Sequence, residues 1–106
     1  MELVKINDIM KYVNKNVVIN GWVYNSRRSG KIGFLSLRDG YGIIQCIIEK
    51  KVISEEKFEL FKSLTQESSI SIHGKVVANP RKNGEYEILV DNLILHQLTS
   101  EYPITP

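Results

Sequence analysis

Residues 27–45 contain the side chains of this chain that are best suited to binding chemistry. They comprise cations, one aromatic ring and polar groups: Arg27, Arg28, Lys31, Phe34, Ser36, Arg38 and Gln45. An aromatic ring can stack on a base, an amide can hydrogen-bond a base edge, and cations can neutralise phosphates. Groups of these kinds are found together where proteins bind an unpaired nucleic acid strand.

Each of these residues also has a purely structural explanation. An exposed Phe in a strand usually packs under a loop or a neighbouring domain, and Gln45 can be an outward polar residue of an antiparallel strand. The cluster RRSGK can be a solvated turn, while Asp39 can cap a turn or pair with Arg38. Residue types alone leave both explanations open.

Catalysis and metal binding have little support in the sequence. Cys46 is the only cysteine, and with only His73 and His96 as further soft ligands no zinc-binding spacing can be assembled. His73 has no nucleophile or carboxylate at a recognisable spacing. We therefore expect no catalytic residue, no metal site and no cofactor in this chain.

Composition limits the class of protein. With 106 residues, 42% hydrophobic and 25% charged, the chain fits one globular domain. Its formal charge of +2 means that a polyanion must be met by a local cluster of cations. No apolar run approaches the roughly 18 residues of a membrane span, and the first ten residues lack the order of a secretory signal. We expect a cytoplasmic protein without a membrane partner.

Apolar periodicity predicts a short N-terminal helix and then three strands. Helical spacing from Ile6 to Val13, behind a possible Asn7 cap, predicts the helix. Alternation of period two predicts strand one at 17–26, strand two after the RRSGK loop, and strand three in GIIQCIIE. In strand two the apolar positions alternate with Phe34, Ser36 and Arg38, so these three should lie on the outer face.

The remaining elements complete a recognisable order. Ser54 is a plausible cap for a helix over 54–64, strand four follows at 69–78, and strand five covers 86–96. Three strands, a helix and two more strands is the order of the OB-fold, a five-stranded Greek-key barrel. We therefore predict an all-β fold with small helices, in which strands two and three present Phe34 and Gln45 to a ligand.

The segment GWVYNSRRSGKIGFLSLRDGYGIIQ resembles the N-terminal anticodon-binding domain of class IIb aminoacyl-tRNA synthetases. Within that family it is most similar to the asparaginyl enzymes, whose bacterial members carry a similar GW, Y, R, GKI, FL, LRDG, G and Q series. Aspartyl enzymes typically have an Asp in the loop where this chain has RRSGK. The ending EYPITP resembles the family hinge, so we expect a domain at 1–98 and a hinge at 99–106 toward a catalytic domain.

The resemblance also implies roles for matching residues. Phe34 would stack on an anticodon base, Gln45 would hydrogen-bond the central uridine, and Arg27 would contact the anticodon region. Gly33 departs from the family pattern, because relatives often have a larger residue before the Phe. The parent protein would be an ATP- and magnesium-dependent asparagine–tRNA ligase that dimerises through its catalytic domain, while this chain would bind the tRNA anticodon loop without catalysis.

Three alternatives follow from the same residues. The chain can be the anticodon-binding domain of an aspartyl enzyme, or a free-standing OB domain that binds single-stranded nucleic acid with little base preference. It can also be a protein-docking module that uses Phe34 and Trp22. Trp22 and Tyr24 alternate onto one face of strand one, where cross-strand packing explains them better than base contact.

Overall fold

The computed structural model describes residues 2–98 and has a mostly β architecture. Its elements are β1 (Glu2–Leu3), a 3-10 helix (Ile6–Tyr12), β2 (Asn16–Ser29), β3 (Ile32–Arg38), β4 (Ile43–Glu49), α1 (Glu55–Ser63), β5 (Ser69–Ala78) and β6 (Tyr86–Gln97). The five predicted strands correspond to β2–β6, and the two-residue β1 is an addition. The predicted hinge at 99–106 lies outside the described residues.

The five long strands close into a barrel. Neighbours run in the order β2-β3-β4-β6-β5, and β5 also pairs with β2, while β1 adds to β2 as a parallel edge. All contacts among the five are antiparallel except the short β4–β6 pairing. Closure leaves no free edge in the barrel, and this arrangement confirms the predicted OB-fold.

The barrel interior is filled by one face of each strand, as the period-two pattern predicts. Ile19, Val23, Leu35, Leu37 and Cys46 are fully enclosed. Burying aliphatic side chains of this size stabilises the fold by about 1.5–3 kcal/mol for each one relative to leaving it in water. The outer-face side chains of β3 and β4 are consequently not needed to fill the core and can contact a ligand.

Helix α1 closes the barrel near the β2–β3 turn. Ser54 caps it, since its hydroxyl accepts a hydrogen bond from the Lys57 backbone N–H at 3.2 Å, as predicted. Phe58 and Phe61 are buried. A Cβ built on Gly33 would lie 2.3 Å from Cε2 of Phe61, so glycine at this position makes room for the Phe61 ring. Glycine at position 33 thus has a packing explanation.

Two predicted details are wrong. The N-terminal helix is a 3-10 helix preceded by Lys5 with no side-chain cap, so Asn7 is not its cap. The RRSGK stretch is not an open loop, because β2 continues to Ser29 and only the Gly30–Lys31 turn separates it from β3. None of the helices in residues 2–98 is long and apolar enough to cross a membrane.

Candidate nucleic-acid interface

A β-bulge decides which face Arg27 occupies. Val23 is buried opposite Leu37, and simple alternation from Val23 would place Arg27 on the core side as well. The register shifts between Val23 and Asn25, so that Arg27 pairs with Phe34 on the outer face. An extra residue in one strand reverses the alternation beyond it. The bulge thereby joins two predicted site residues.

Arg27 and Phe34 are in direct contact. The guanidinium carbon of Arg27 lies 4.2 Å from the centroid of the Phe34 ring, which is a cation–π distance. The ring is half-buried, while Arg27 is exposed. Arginine planes stack on bases as aromatic rings do, so the pair offers two adjacent stacking surfaces and a positive charge.

Gln45 lies beside this pair and has a fixed orientation. Ser36 of β3 pairs directly with Gln45 of β4, one position along the outer face from Phe34. The Gln45 Nε2 group donates a hydrogen bond of 3.1 Å to Oε2 of Glu87. The amide nitrogen of Gln45 thus faces the carboxyl oxygen of Glu87, which accepts this hydrogen bond. The carbonyl oxygen Oε1 of Gln45 therefore remains available to a ligand.

Glu87 is the main site residue that sequence reasoning missed. Its side chain is buried, with only 3% of the residue exposed, and it belongs to β6, which pairs in parallel with β4 at Gln45. A buried carboxylate needs hydrogen-bond partners, and Gln45 supplies one. The available sequence signal was a charged residue within the strand segment YEILV, one position before the apolar run.

A groove of about 590 Å³ extends from Gln45 toward the β5–β6 loop. Besides Arg27 and Gln45, its polar lining consists of Asn79, Arg81, Lys82 and Glu85 of the loop and Tyr86 and Glu87 of β6. The loop residues were not among the predicted site residues, although the two cations in the turn NPRKNGE were a usable signal. The groove combines three cations and two carboxylates with an aromatic ring, and the cations and the ring suit a nucleotide.

Arg28 and Lys31 do not share the face of Phe34. Arg28 pairs with Gly33, whose added Cβ would point at Phe61, so Arg28 lies on the side of helix α1. Its Nη1 donates a long hydrogen bond of 3.4 Å to the carbonyl of Gly30. Lys31 is exposed in the turn that Gly30 allows by its φ of +62°.

Arg38 lies on the outer face, but it is neutralised there. Its Nη2 donates to both carboxylate oxygens of Glu67, at 2.7 and 2.8 Å, and its guanidinium lies 5.7 Å from the Trp22 ring. Asp39 does not pair with Arg38. Its carboxylate instead accepts from the backbone N–H groups of Tyr41 and Ile6, at 2.9 and 2.7 Å, as a turn cap.

Metal-binding and nucleophilic groups do not assemble elsewhere in the described part of the chain. No group of three or more His, Cys, Asp or Glu side chains that suits a metal ion occurs among residues 2–98. Burial raises the pKa of the Cys46 thiol far above its usual value, so Cys46 remains a protonated core thiol. The site is suited to stacking, hydrogen bonding and phosphate contact.

Known proteins of similar sequence contain this domain as a part. The tRNA anticodon family, described as an OB-fold nucleic acid binding domain, matches residues 17–95. Asparagine–tRNA ligase of Sorangium cellulosum is 41% identical over 98% of this chain and 24% of its own length. The Chloroflexus aurantiacus enzyme is 49% identical over 92% of this chain and 22% of its own length. The chain thus spans about a quarter of the length of these curated relatives.

Solved structures give a consistent result. Asparaginyl-tRNA synthetase from Pyrococcus horikoshii, complexed with asparaginyl-adenylate, superposes with a TM-score of 0.85 at 40% identity, over 96% of this chain and 24% of that one. Aspartyl tRNA synthetase from Entamoeba histolytica superposes with a TM-score of 0.83 at 28% identity, over 96% of this chain and 22% of that one.

Proposed function

The chain belongs to the tRNA anticodon family of OB-fold nucleic acid binding domains, and from this premise we propose that it binds the anticodon loop of asparagine tRNA. In this proposal the parent protein is a cytoplasmic asparagine–tRNA ligase that uses ATP and magnesium and forms a homodimer through its catalytic domain. The relatives are ligases four times as long as the matched region, so this domain supplies binding while the rest of the parent supplies chemistry.

The observation that carries the proposal is the oriented Gln45 amide one pair away from the Phe34 ring. Uridine presents an N–H donor between two carbonyl acceptors on its base-pairing edge, whereas cytidine presents an acceptor at the equivalent ring nitrogen. Because Glu87 holds Nε2, the Oε1 atom of Gln45 is free to accept the uridine N–H. Phe34 or its Arg27 partner stacks on the base, and Gln45 selects it.

Charge near the site supports binding to an RNA loop. Arg27 lies on the outer face of β2–β4 that carries Phe34 and Gln45, which we call the reading face. Arg81 and Lys82 line the groove next to Gln45. An extended, single-stranded loop can place its bases on the sheet and its phosphates against such cations. The groove provides room for a nucleotide adjacent to the one that stacks on Phe34.

Sequence identity, not shape, favours the asparaginyl enzymes. The TM-scores for the asparaginyl and aspartyl structures are nearly equal, at 0.85 and 0.83, whereas the curated relatives that match this chain at 41% and 49% identity are asparagine–tRNA ligases. Asparagine and aspartate tRNAs share the first two anticodon bases and differ in the third, which is uridine in the former and cytidine in the latter. Competition between the two tRNAs therefore tests this part of the proposal directly.

The test of the function itself is Gln45→Ala. We expect this variant to lose discrimination between stem-loops with uridine and cytidine at the central anticodon position, by about 1 kcal/mol, because the site is partly solvated. Binding is measured by fluorescence anisotropy at fixed salt. Gln97→Ala, which removes an exposed amide at the opposite end of β6, is the matched control and should discriminate normally.

Two outcomes contradict the proposal in different ways. If wild type and Gln45→Ala prefer uridine equally, Gln45 is a polar surface residue and does not determine specificity. If wild type binds random single-stranded RNA as tightly as asparagine tRNA, the chain is a general nucleic-acid-binding domain.

A further inference from the structure

Two turns at one end of the barrel bring further cations together. The Lys50 backbone N–H donates a hydrogen bond of 2.9 Å to the carbonyl of Lys31, so the β4–α1 turn lies against the β2–β3 turn. Arg28 precedes the β2–β3 turn and Lys51 follows Lys50. We call these four residues, Arg28, Lys31, Lys50 and Lys51, the turn ridge.

The turn ridge carries an excess of positive charge. Among residues 2–98, the one carboxylate within 4 Å of a ridge cation is that of Glu49, which lies 3.7 Å from Lys51. The Lys51 side chain is 83% exposed, so this contact is strongly screened by water. The cations of Arg28, Lys31 and Lys50 have no such partner in the described part of the chain. They are available to an external anion.

The turn ridge has no aromatic ring and no amide. Its neighbours along the chain are Arg27, Ser29, Gly30, Ile32, Glu49 and Val52, and none of these is aromatic or an amide. Aromatic stacking and amide hydrogen bonds to base edges are therefore confined to the Phe34 face and the adjoining groove. Cations without such groups contact phosphates irrespective of sequence. Duplex RNA presents this kind of surface, because its phosphates are outside and its bases are paired.

Charge at the two ends of the reading face differs. At one end of the face, the guanidinium of Arg38 is neutralised by Glu67, and Asp39 adds a further carboxylate next to Arg38 in the chain. Beyond Phe34 the face leads through Arg27 to the Gly30–Lys31 turn and the ridge. Lys5 also lies at the Arg38 end, 4.8 Å from the Tyr41 ring, so two cations and two carboxylates balance there, whereas the ridge end has an excess of cations that attracts a polyanion.

We propose that the turn ridge binds backbone phosphates of the helical stem that flanks the anticodon loop. The inference rests on the proposed function and extends it, because it assigns Lys50 and Lys51 to RNA contact and gives the stem a direction across the barrel. The loop is read on β3 and β4, and the stem passes over the β2–β3 and β4–α1 turns.

The test compares two RNAs and three proteins. The RNAs are a stem-loop with the asparagine anticodon and a single-stranded oligonucleotide with the loop sequence alone. The proteins are the wild-type chain, Lys50→Ala/Lys51→Ala, and the control Lys15→Ala/Lys75→Ala, which removes two exposed cations from the region where β2 begins. Dissociation constants are measured over a salt series, and circular dichroism checks that each variant is folded.

The slope of log affinity against log salt is negative, and losing two phosphate contacts should reduce its magnitude by about 1.5. This change corresponds to roughly 30-fold weaker binding near 0.1 M salt. We expect this loss for Lys50→Ala/Lys51→Ala with the stem-loop only, and no loss for the control. An unchanged slope, or an equal loss with the oligonucleotide, would overturn the assignment to the stem. Failure of the wild type to bind either RNA would instead overturn the proposed function.

Discussion

Two arginine–aromatic pairs lie on the outer face of the same two strands. Arg27 of β2 covers Phe34 of β3 at 4.2 Å, and Arg38 of β3 lies 5.7 Å from Trp22 of β2. Both pairs are directly opposite in the β2–β3 register. Glu67 holds Arg38 through both carboxylate oxygens, while no carboxylate within residues 2–98 lies within 4 Å of the Arg27 cation.

The segment after α1 determines why Arg38 is neutralised and Arg27 is not. Glu67 has a φ of +69°, and its backbone N–H donates to the carbonyl of Val23 at 2.7 Å. This fixed backbone places the carboxylate against Arg38. A non-glycine residue with positive φ persists only where the surrounding contacts hold it. The same local pair is therefore a binding element at one end of the face and a structural contact at the other.

Adding a methyl group to a glycine should destabilise the fold more at the Arg38 end of the face than at the Phe34 end. A Cβ on Gly21 would lie 2.5 Å from the carbonyl oxygen of Arg38, whereas a Cβ on Gly33 meets the Phe61 side chain. A ring can shift more readily than a barrel strand, so Gly33→Ala should cost about 1–3 kcal/mol of unfolding free energy and Gly21→Ala more. Urea denaturation measures both. A smaller cost for Gly21→Ala would mean that β2 and β3 separate easily beside Arg38.

The two aromatic rings should differ in RNA binding. Phe34→Ala should weaken binding to the asparagine anticodon stem-loop by about 1–3 kcal/mol, because a stacking surface is lost. Trp22→Ala serves as the matched variant and should leave affinity nearly unchanged, since its arginine is neutralised. Anisotropy titrations at fixed salt provide the comparison. Equal losses would extend the reading face to Trp22, and unfolding of Phe34→Ala would place its ring in the core.

The two arginines should differ in salt dependence. Arg27→Ala should reduce the slope of log affinity against log salt by about 0.7, the value for one phosphate contact in a single strand. Arg38→Ala should leave this slope unchanged, because its charge is already compensated by Glu67. Titrations from low to high potassium chloride separate the outcomes. If both variants flatten the slope, Glu67 does not prevent Arg38 from binding phosphate.

Removing the charge of Glu67 should have the smallest effect. Glu67→Gln releases Arg38 from its ion pair, so the salt slope for RNA binding should increase by at most about 0.7. The two side chains are 41% and 45% exposed, and such a solvent-screened pair contributes up to about 1 kcal/mol of stability. Thermal unfolding and the salt series test both statements. A decrease in RNA affinity would show that Glu67 supports binding.

Local patterns were sufficient for much of the fold. The alternation in IGFLSLR and the Ser54 cap predicted the faces of β3 and the start of α1, because each depends on residues a few positions apart. The placement of Phe34 and Gln45 on one outer face followed from the same alternation. The roles of these residues in RNA recognition remain predictions that the proposed variants test.

Other features depend on residues distant in the chain. The partner of Gln45 is Glu87 and that of Arg38 is Glu67, each brought close only when the barrel closes. The need for glycine at position 33 is explained by the Phe61 ring of helix α1, which packs against β3 at that position. No periodicity reports such contacts.

The sequence by itself determined the residue types of the site and the strand faces, because period-two alternation is a local property of an extended backbone. The tertiary structure decided which cations belong to the site. The bulge after Val23 turned Arg27 toward Phe34 and left Arg28 on the side of α1, and Glu67 neutralised Arg38. A bulge and a long-range ion pair arise only when strands pair in a particular register, and one strand's sequence does not contain that information.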